Sequence, residues 1–174
     1  MGLEIERKFL IDFEKIQDFD DKIYIKQGYI LNSKEKVVRV RVTNDKCFLT
    51  IKGKNTGMTR PEFEYEIPKD EAEQILNTMC SDILEKTRYI FYIFGDTWEI
   101  DEFHGDNDGL VVAEVEVPSE DYKVTLPKWV VKEVTDDPKY YNNNLIKNPY
   151  KNWRKDDTRR SKWLQEKNRK RNYG

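Results

Sequence analysis

The sequence predicts an α+β fold: a closed eight-stranded antiparallel β-barrel with flanking helices and a basic C-terminal helix. Three observations carry that prediction. Eight segments alternate apolar and polar residues with a period of two, at 3–11, 24–31, 36–43, 46–53, 61–67, 86–94, 97–103 and 110–117. Turn signals such as Asn44-Asp45, Gly53, Gly95-Asp96 and Asp108-Gly109 separate them, with the short spacing of antiparallel neighbours. The polar positions, finally, are sorted by charge in a way that an ordinary solvent face is not.

Taken in order, the first strand sets Glu4, Glu6 and Lys8 on one face and Leu3, Ile5 and Phe9 on the other. A helix over about 12–20 is expected next, then strand 24–31 with Tyr29. Arg39 and Arg41 alternate with Val38, Val40 and Val42; Thr50 and Lys52 alternate with Leu49 and Ile51. Glu62, Glu64 and Glu66 alternate with Phe63, Tyr65 and Ile67. After Pro68, the spacing of Ala72, Ile75, Leu76 and Met79 predicts a helix over 69–81. Lys86 and Arg88 then alternate with Tyr89 and Phe91, Glu99 and Asp101 with Trp98 and Ile100, and Glu114 and Glu116 with Ala113, Val115 and Val117. Further helical stretches are expected at about 119–126, before Pro127, and at 137–146.

Like charges at i and i+2 on one strand face repel each other, so groups of opposite charge must lie between them. A closed barrel supplies them from its opposite walls and removes the exposed sheet edges. Ionic faces turned inward leave apolar faces outward, for the helices to cover. Such a lumen has a narrow range of ligands. Lys8, Arg39, Arg41, Lys52, Lys86 and Arg88 suit a polyanion, because guanidinium forks match phosphate oxygens. Clustered carboxylates at Glu4, Glu6, Glu114 and Glu116 suit Mg²⁺ or Mn²⁺, which bridge protein oxygens and phosphate oxygens.

Composition agrees with a folded chain carrying deliberate charge. Of 174 residues, 37% are hydrophobic, 37% charged and 13% aromatic, too apolar and aromatic for a disordered chain. Residues 151–174 hold ten Lys/Arg against three acids, a net of +7, which leaves −9 for residues 1–150 of a chain whose formal charge is −2. One domain over 1–150 with a basic, helical tail over 151–174 is therefore expected. The tail keeps a nucleic-acid partner open, but a solvated terminal helix explains it better. No apolar run is long enough for a membrane span and no signal peptide opens the chain, so a soluble cytoplasmic protein without a membrane partner is expected. Cys47 and Cys80 lack metal or redox spacing and read as reduced thiols. His104, in HGDNDG, reads as a loop residue. Neither a P-loop nor a GxGxxG motif is present.

At this point the motifs become specific. Glu4-Ile5-Glu6-Arg7-Lys8 fits an N-terminal ExExK signature, followed by Arg39-x-Arg41, Lys52 in TIKG, Glu62/Glu64, Lys86-x-Arg88 and Glu114-x-Glu116. This series resembles the CYTH superfamily, the triphosphate tunnel metalloenzymes, and in particular its short bacterial members. QGYI at 27–30 and EVTDDPKYYNNNLI at 133–146 are similar to segments of the same group, and the resemblance spans about 1–148. It implies a tunnel that binds triphosphate with a divalent metal and hydrolyses inorganic triphosphate, with nucleoside triphosphates such as ATP as further substrates. Lys8, Arg39, Arg41, Lys52, Lys86 and Arg88 would hold the phosphates, and Glu4, Glu6, Glu114 and Glu116 the metal. Glu6 or Glu116 would orient the attacking water, and Tyr29 would meet a terminal phosphate. Glu62, Glu64, Glu99 and Asp101 would support the basic wall through ion pairs. A homodimer is open by resemblance alone. Competing readings are a class IV adenylate cyclase, a thiamine or RNA triphosphatase on the same fold, a non-catalytic polyphosphate- or nucleotide-binding module, and a barrel whose ionic faces are inert.

Overall fold

In a computed structural model, residues 2–153 and 169–170 of the chain are described. The expected tail helix over 151–174 falls mostly outside them, and its first residues belong to a 3-10 turn, Tyr150–Asn152.

The strands are β1 (Gly2–Ile11), β2 (Asp21–Asn32), β3 (Val37–Val42), β4 (Cys47–Lys52), β5 (Thr59–Ile67), β6 (Ile83–Ile93), β7 (Asp96–Phe103), β8 (Val111–Glu116) and β9 (Val130–Glu133). Two α-helices, α1 (Lys69–Met79) and α2 (Asn142–Lys147), interrupt or follow them. All pairings are antiparallel, in the order β5-β4-β3-β2-β6-β7-β8-β1-β9, and a further β5–β1 pairing closes an eight-stranded barrel. β1 makes that closure by sharing one edge. Its N-terminal residues pair with β5 and its C-terminal residues with the short additional strand β9, while β8 takes the opposite edge.

Register puts the ionic positions on one continuous inner surface. Lys8 stands opposite Glu114, Glu6 opposite Glu116, Arg88 opposite Asp101, Tyr29 opposite Arg39, Thr50 opposite Glu64 and Lys52 opposite Glu62. The apolar faces point outward. Phe9, Phe91, Trp98, Ile100 and Val115 form the outer core of β1, β6, β7 and β8, covered by Phe13 and Trp129. α1 covers Val40 and Cys47 with Ala72 and Leu76. It lies so close to β2 that a Cβ on Gly28 would sit 2.8 Å from Cys80 Cβ and 2.9 Å from Leu76 Cδ2. That cover reaches Leu49 of β4 and Ile67 of β5, whereas Ile51, Phe63 and Tyr65 further along the same strands are exposed.

A third apolar cluster lies inside the barrel. Leu10, Leu84, Phe103 and Val112 are each two residues along the inner face from Lys8, Lys86, Asp101 and Glu114, so the lining changes from ionic to apolar at one end. Val134, Tyr140, Leu145 and Tyr150 of the C-terminal segment fill that end. The lumen is thus a cup with an apolar floor rather than a tunnel open at both ends.

Three expected helices change. Over 12–20 only the 3-10 turn Phe13–Lys15 forms, with Asp12 accepting from the Glu14 N–H. Phe13 and Phe19 instead pack on Tyr89, and Asp20 docks on β6 through its N–H to Ile90 O and its carboxylate to the Tyr92 N–H. Residues 119–126 form no helix. β-Branched Val124 and Thr125 and the restriction that Pro127 places on Leu126 disfavour one, and Tyr122 and Val124 pack on the outer core, with Tyr122 Oη donating to Asp96. Segment 137–146 is helical in two pieces, Pro138–Tyr140 and α2. The helix expected over 69–81 forms over Lys69–Met79.

Candidate active site

The alternating charged residues of β1, β3, β4, β6 and β8, with Glu62, Glu64 and Glu99, line the central cavity, and depth sorts the charges. Lys8, Arg39, Lys86 and Arg88 are buried, as are Glu4, Asp101 and Glu114. Glu6, Glu99 and Glu64 lie progressively nearer solvent, with side-chain exposures of 24%, 32% and 40%. The cations therefore sit deep, while much of the carboxylate lining stands towards the opening, where Glu62 and Glu116 also line the cavity.

Three ion-pair groups hold this lining. Lys8 pairs with Glu114 and, at 3.1 Å, with Glu6. Burial opposes its charge, yet the two carboxylates hold the Lys8 ammonium well above the usual lysine range. Lys52 Nζ lies 2.8 Å from Glu4 Oε2. Asp101 accepts from Lys86 Nζ at 2.7 Å and from Arg88 Nε and Nη2 at 2.8 and 2.9 Å. Arg88 pairs additionally with Glu99 and lies 3.7 Å from Glu114. Asp101 and Glu99 thus both pair with Arg88, and Glu64 accepts from Thr50 Oγ1 and lies 3.8 Å from Arg39.

Three of the cations remain under-compensated all the same. Burial first, then Arg39 and Arg88, pushes the Arg41 guanidinium down to about 9. Burial and Arg88 push the Lys86 ammonium down to about 7, against the pull of Asp101. Arg39 Nε is buried with no hydrogen-bond partner among the described residues, although an unpaired buried donor costs about 1–3 kcal/mol. Positive charge is crowded where the protein supplies too few acceptors.

The carboxylates show the converse. Burial, then Glu4, Glu6 and Glu99, pushes the Glu116 carboxyl up. Burial and Glu6 likewise act to raise Glu114, but Lys8, Arg88 and Lys86 outweigh them and hold it low. Among the described residues, no group of three or more acidic, histidine or cysteine side chains is set to hold a metal ion as it stands, because Glu4, Glu6 and Glu114 are turned to lysines. The donor set nevertheless fits a hard cation. It is all oxygen, its members repel one another, and Mg²⁺ needs only one or two protein carboxylates beside water and phosphate.

Several lining residues escaped sequence reasoning. Gln27 is fully buried, accepts from Arg41 Nε at 2.9 Å and donates to Tyr29 Oη at 3.0 Å. A glutamine among alternating residues carries no charge-sorting signal. Tyr29 lines the cavity beside Lys8 and Arg39, and burial raises its phenol. Arg60, Thr135, Tyr141 and Asn142 also line the cavity. Arg60 sits one register step before the expected strand, opposite Glu4, and the other three arrive with the C-terminal segment. His104 lies elsewhere, as expected of a loop residue: its Nε2 is 2.7 Å from Thr87 Oγ1 and its ring stacks on Tyr24.

A closed antiparallel barrel with buried cations, an acidic opening and an apolar floor defines a polyanion-binding enzyme fold. The chain belongs to the CYTH family, whose domain matches residues 2–147. It is 50% identical over 155 residues to an inorganic triphosphatase of Acetivibrio thermocellus, covering 88% of this chain and 99% of that one. It is 33% identical over 150 residues to an inorganic triphosphatase of Nitrosomonas europaea, covering 82% and 95%. The solved structure of the inorganic triphosphatase NE1496 superposes with a TM-score of 0.61 at 31% identity, covering 84% of this chain and 95% of that one. Membership of this metalloenzyme family implies a divalent metal.

Proposed function

We propose that this chain hydrolyses inorganic triphosphate to pyrophosphate and phosphate in the cytoplasm, with Mg²⁺ or Mn²⁺, and accepts nucleoside triphosphates such as ATP less readily. The observation that carries this reading is under-compensated positive charge: Arg39 Nε without an acceptor among the described residues, and Arg41 and Lys86 destabilised by burial and by neighbouring cations. A triphosphate chain supplies the missing acceptors to all three. The reading is supported as well by the two inorganic triphosphatase relatives.

Phosphoryl transfer depends mainly on alignment and charge neutralisation. Lys8, Arg39, Arg41, Lys52, Lys86 and Arg88 bind and straighten the phosphate chain. Glu4, Glu6, Glu114 and Glu116 would hold the metal, whose chemistry when bound would be charge neutralisation and a more acidic water. Water attacks the terminal phosphorus in line, the P–O bond to the remaining pyrophosphate breaks, and pyrophosphate departs as the leaving group. Glu116, with its raised carboxyl and, among the described residues, no lysine partner of the kind Glu6 has in Lys8, is the better placed of the two to accept the water proton. Tyr29 Oη accepts from Gln27, which leaves its own proton to donate to a phosphate oxygen. Glu62, Glu64, Glu99 and Asp101 brace the wall.

Phosphate release from inorganic triphosphate, ATP and thiamine triphosphate, each with Mg²⁺, Mn²⁺ or EDTA, tests the reading, with Glu6→Gln as the blank. Metal-dependent release that is fastest from inorganic triphosphate and absent in the blank is expected. Release from none of the three would sink it, and cyclic AMP in the ATP tubes would point to a cyclase instead.

A further inference from the structure

Three consecutive asparagines open α2, and each does something different. Asn144 Nδ2 donates to Pro138 O at 2.8 Å and holds the preceding turn. Asn143 Nδ2 donates to Asn32 Oδ1 at 3.0 Å, and Asn32 Nδ2 donates back to Asn143 O at 2.8 Å, which clamps α2 to the end of β2. Asn142 instead reaches into the lumen, where its Oδ1 accepts from Lys86 Nζ at 2.9 Å. Leu145, one turn on, is fully buried in the apolar floor and anchors the helix in that position.

An ammonium has three protons to place. Lys86 is wholly buried, and among the described residues its ammonium donates to Asp101 Oδ2 and Asn142 Oδ1, at 2.7 and 2.9 Å. Two acceptors on different elements fix the rotation of a tetrahedral group. The third N–H then has a set direction, and Lys86 and Asn142 both line the central cavity.

We propose that Asn142 is a positioning residue of the triphosphate site: with Asp101 it fixes the rotation of the Lys86 ammonium and aims the remaining N–H at a phosphate oxygen. This rests on the triphosphate reading of the lumen. It makes the C-terminal segment part of the site as well as its floor. Neutrality is part of the fit. Around Lys86 stand Arg88 on the same strand, Asp101 on β7, Arg41 on β3 and Glu114 on β8, with apolar Ile25 opposite it on β2. An amide orients the ammonium here without cancelling the charge that the substrate needs.

The test uses the full-length chain and three variants: Asn142→Leu removes the acceptor, Asn142→Asp keeps it and adds charge, and Asn144→Leu loosens α2 from its outer side. Three quantities are read: the Kd for inorganic triphosphate in EDTA as a function of pH, kcat and KM with Mg²⁺, and the melting temperature. Asn142→Leu should weaken triphosphate binding by about 10-fold or more, the scale of one hydrogen bond to a charged group, and move the alkaline limit of binding to lower pH. Asn142→Asp should move that limit up by about one pH unit. Asn144→Leu should lower the melting temperature and leave the limit in place. Opposite shifts cannot come from a general loss of folding, and if Asn142→Leu does not fold, the shift in Asn142→Asp decides. Wild-type affinity and an unmoved limit in the Asn142 variants would overturn the inference. A wild-type protein that neither binds nor hydrolyses triphosphate would overturn the functional reading first, and this inference with it.

Discussion

Lys86 Nζ lies 2.7 Å from Asp101 Oδ2, and both side chains are entirely buried. The same carboxylate also accepts two hydrogen bonds from Arg88, so one anion on β7 serves two cations of the neighbouring strand β6. Such a group is costly to remove and hard to replace.

Asp101→Asn keeps the shape and deletes that charge. Breaking a buried pair by removing one partner costs about 3–5 kcal/mol, and denaturant unfolding of the metal-free protein should show a loss of that size. Saturating triphosphate should recover part of it, because the ligand supplies negative charge to the same cations. An unfolding midpoint equal to that of the parent would show that Asp101 does not hold the wall.

Arg41→Met should behave in the opposite way. Burial and two neighbouring guanidiniums already disfavour the Arg41 charge, so its removal should cost little beyond the unpaired Gln27 Oε1 that it leaves, about 1–3 kcal/mol. Triphosphate affinity should fall about 10- to 100-fold, the range for one or two charge-assisted hydrogen bonds. Calorimetric binding and a thermal melt on the same sample check both halves.

pH should couple to binding through Lys86. Its ammonium is pushed down from the usual 10.5 to about 7, chiefly by burial. Between those two values the unfolded chain holds a proton that the folded chain has released, so this group's contribution to stability rises with pH across that window. Below about 7 both states are protonated and the burial penalty is fully present. Triphosphate favours the charged form, and binding at pH 8 should therefore take up a proton, measurable by calorimetry in two buffers of different ionisation heat. Identical apparent heats in the two buffers would exclude that coupling.

Gly28→Ala tests the packing of α1. The added methyl would lie 2.8 Å from Cys80 Cβ and 2.9 Å from Leu76 Cδ2, and displacement of the helix should cost about 1–3 kcal/mol. Leu76→Ala in the same chain should relieve part of the strain, which a double-mutant cycle would read as coupling.

How far the sequence could be read depended on periodicity. Residues such as Arg39 and Arg41, alternating with Val38, Val40 and Val42, announce both a strand and the character of each face. Gln27, neutral among charged neighbours, gives no such sign, yet it joins Arg41 to Tyr29. Segment 12–20 has an acceptable helical composition, but Phe13 and Phe19 gain more by packing on Tyr89. Weak local preference yields to tertiary contact there, as it does at Tyr122 and Val124.

By itself the sequence determined the eight strands, the inward ionic face and the identity of nearly every lumen charge, because side chains on a strand alternate strictly and like charges demand partners. Tertiary structure alone decided the pairing of those charges, the closure of β1 on β5, and the depth at which each group sits. It also brought Asn142 to Lys86, 56 residues apart, and sealed one end of the barrel with Leu145 and Tyr150. Those contacts depend on where the chain returns after the barrel has closed, and no local pattern encodes a distance across a lumen.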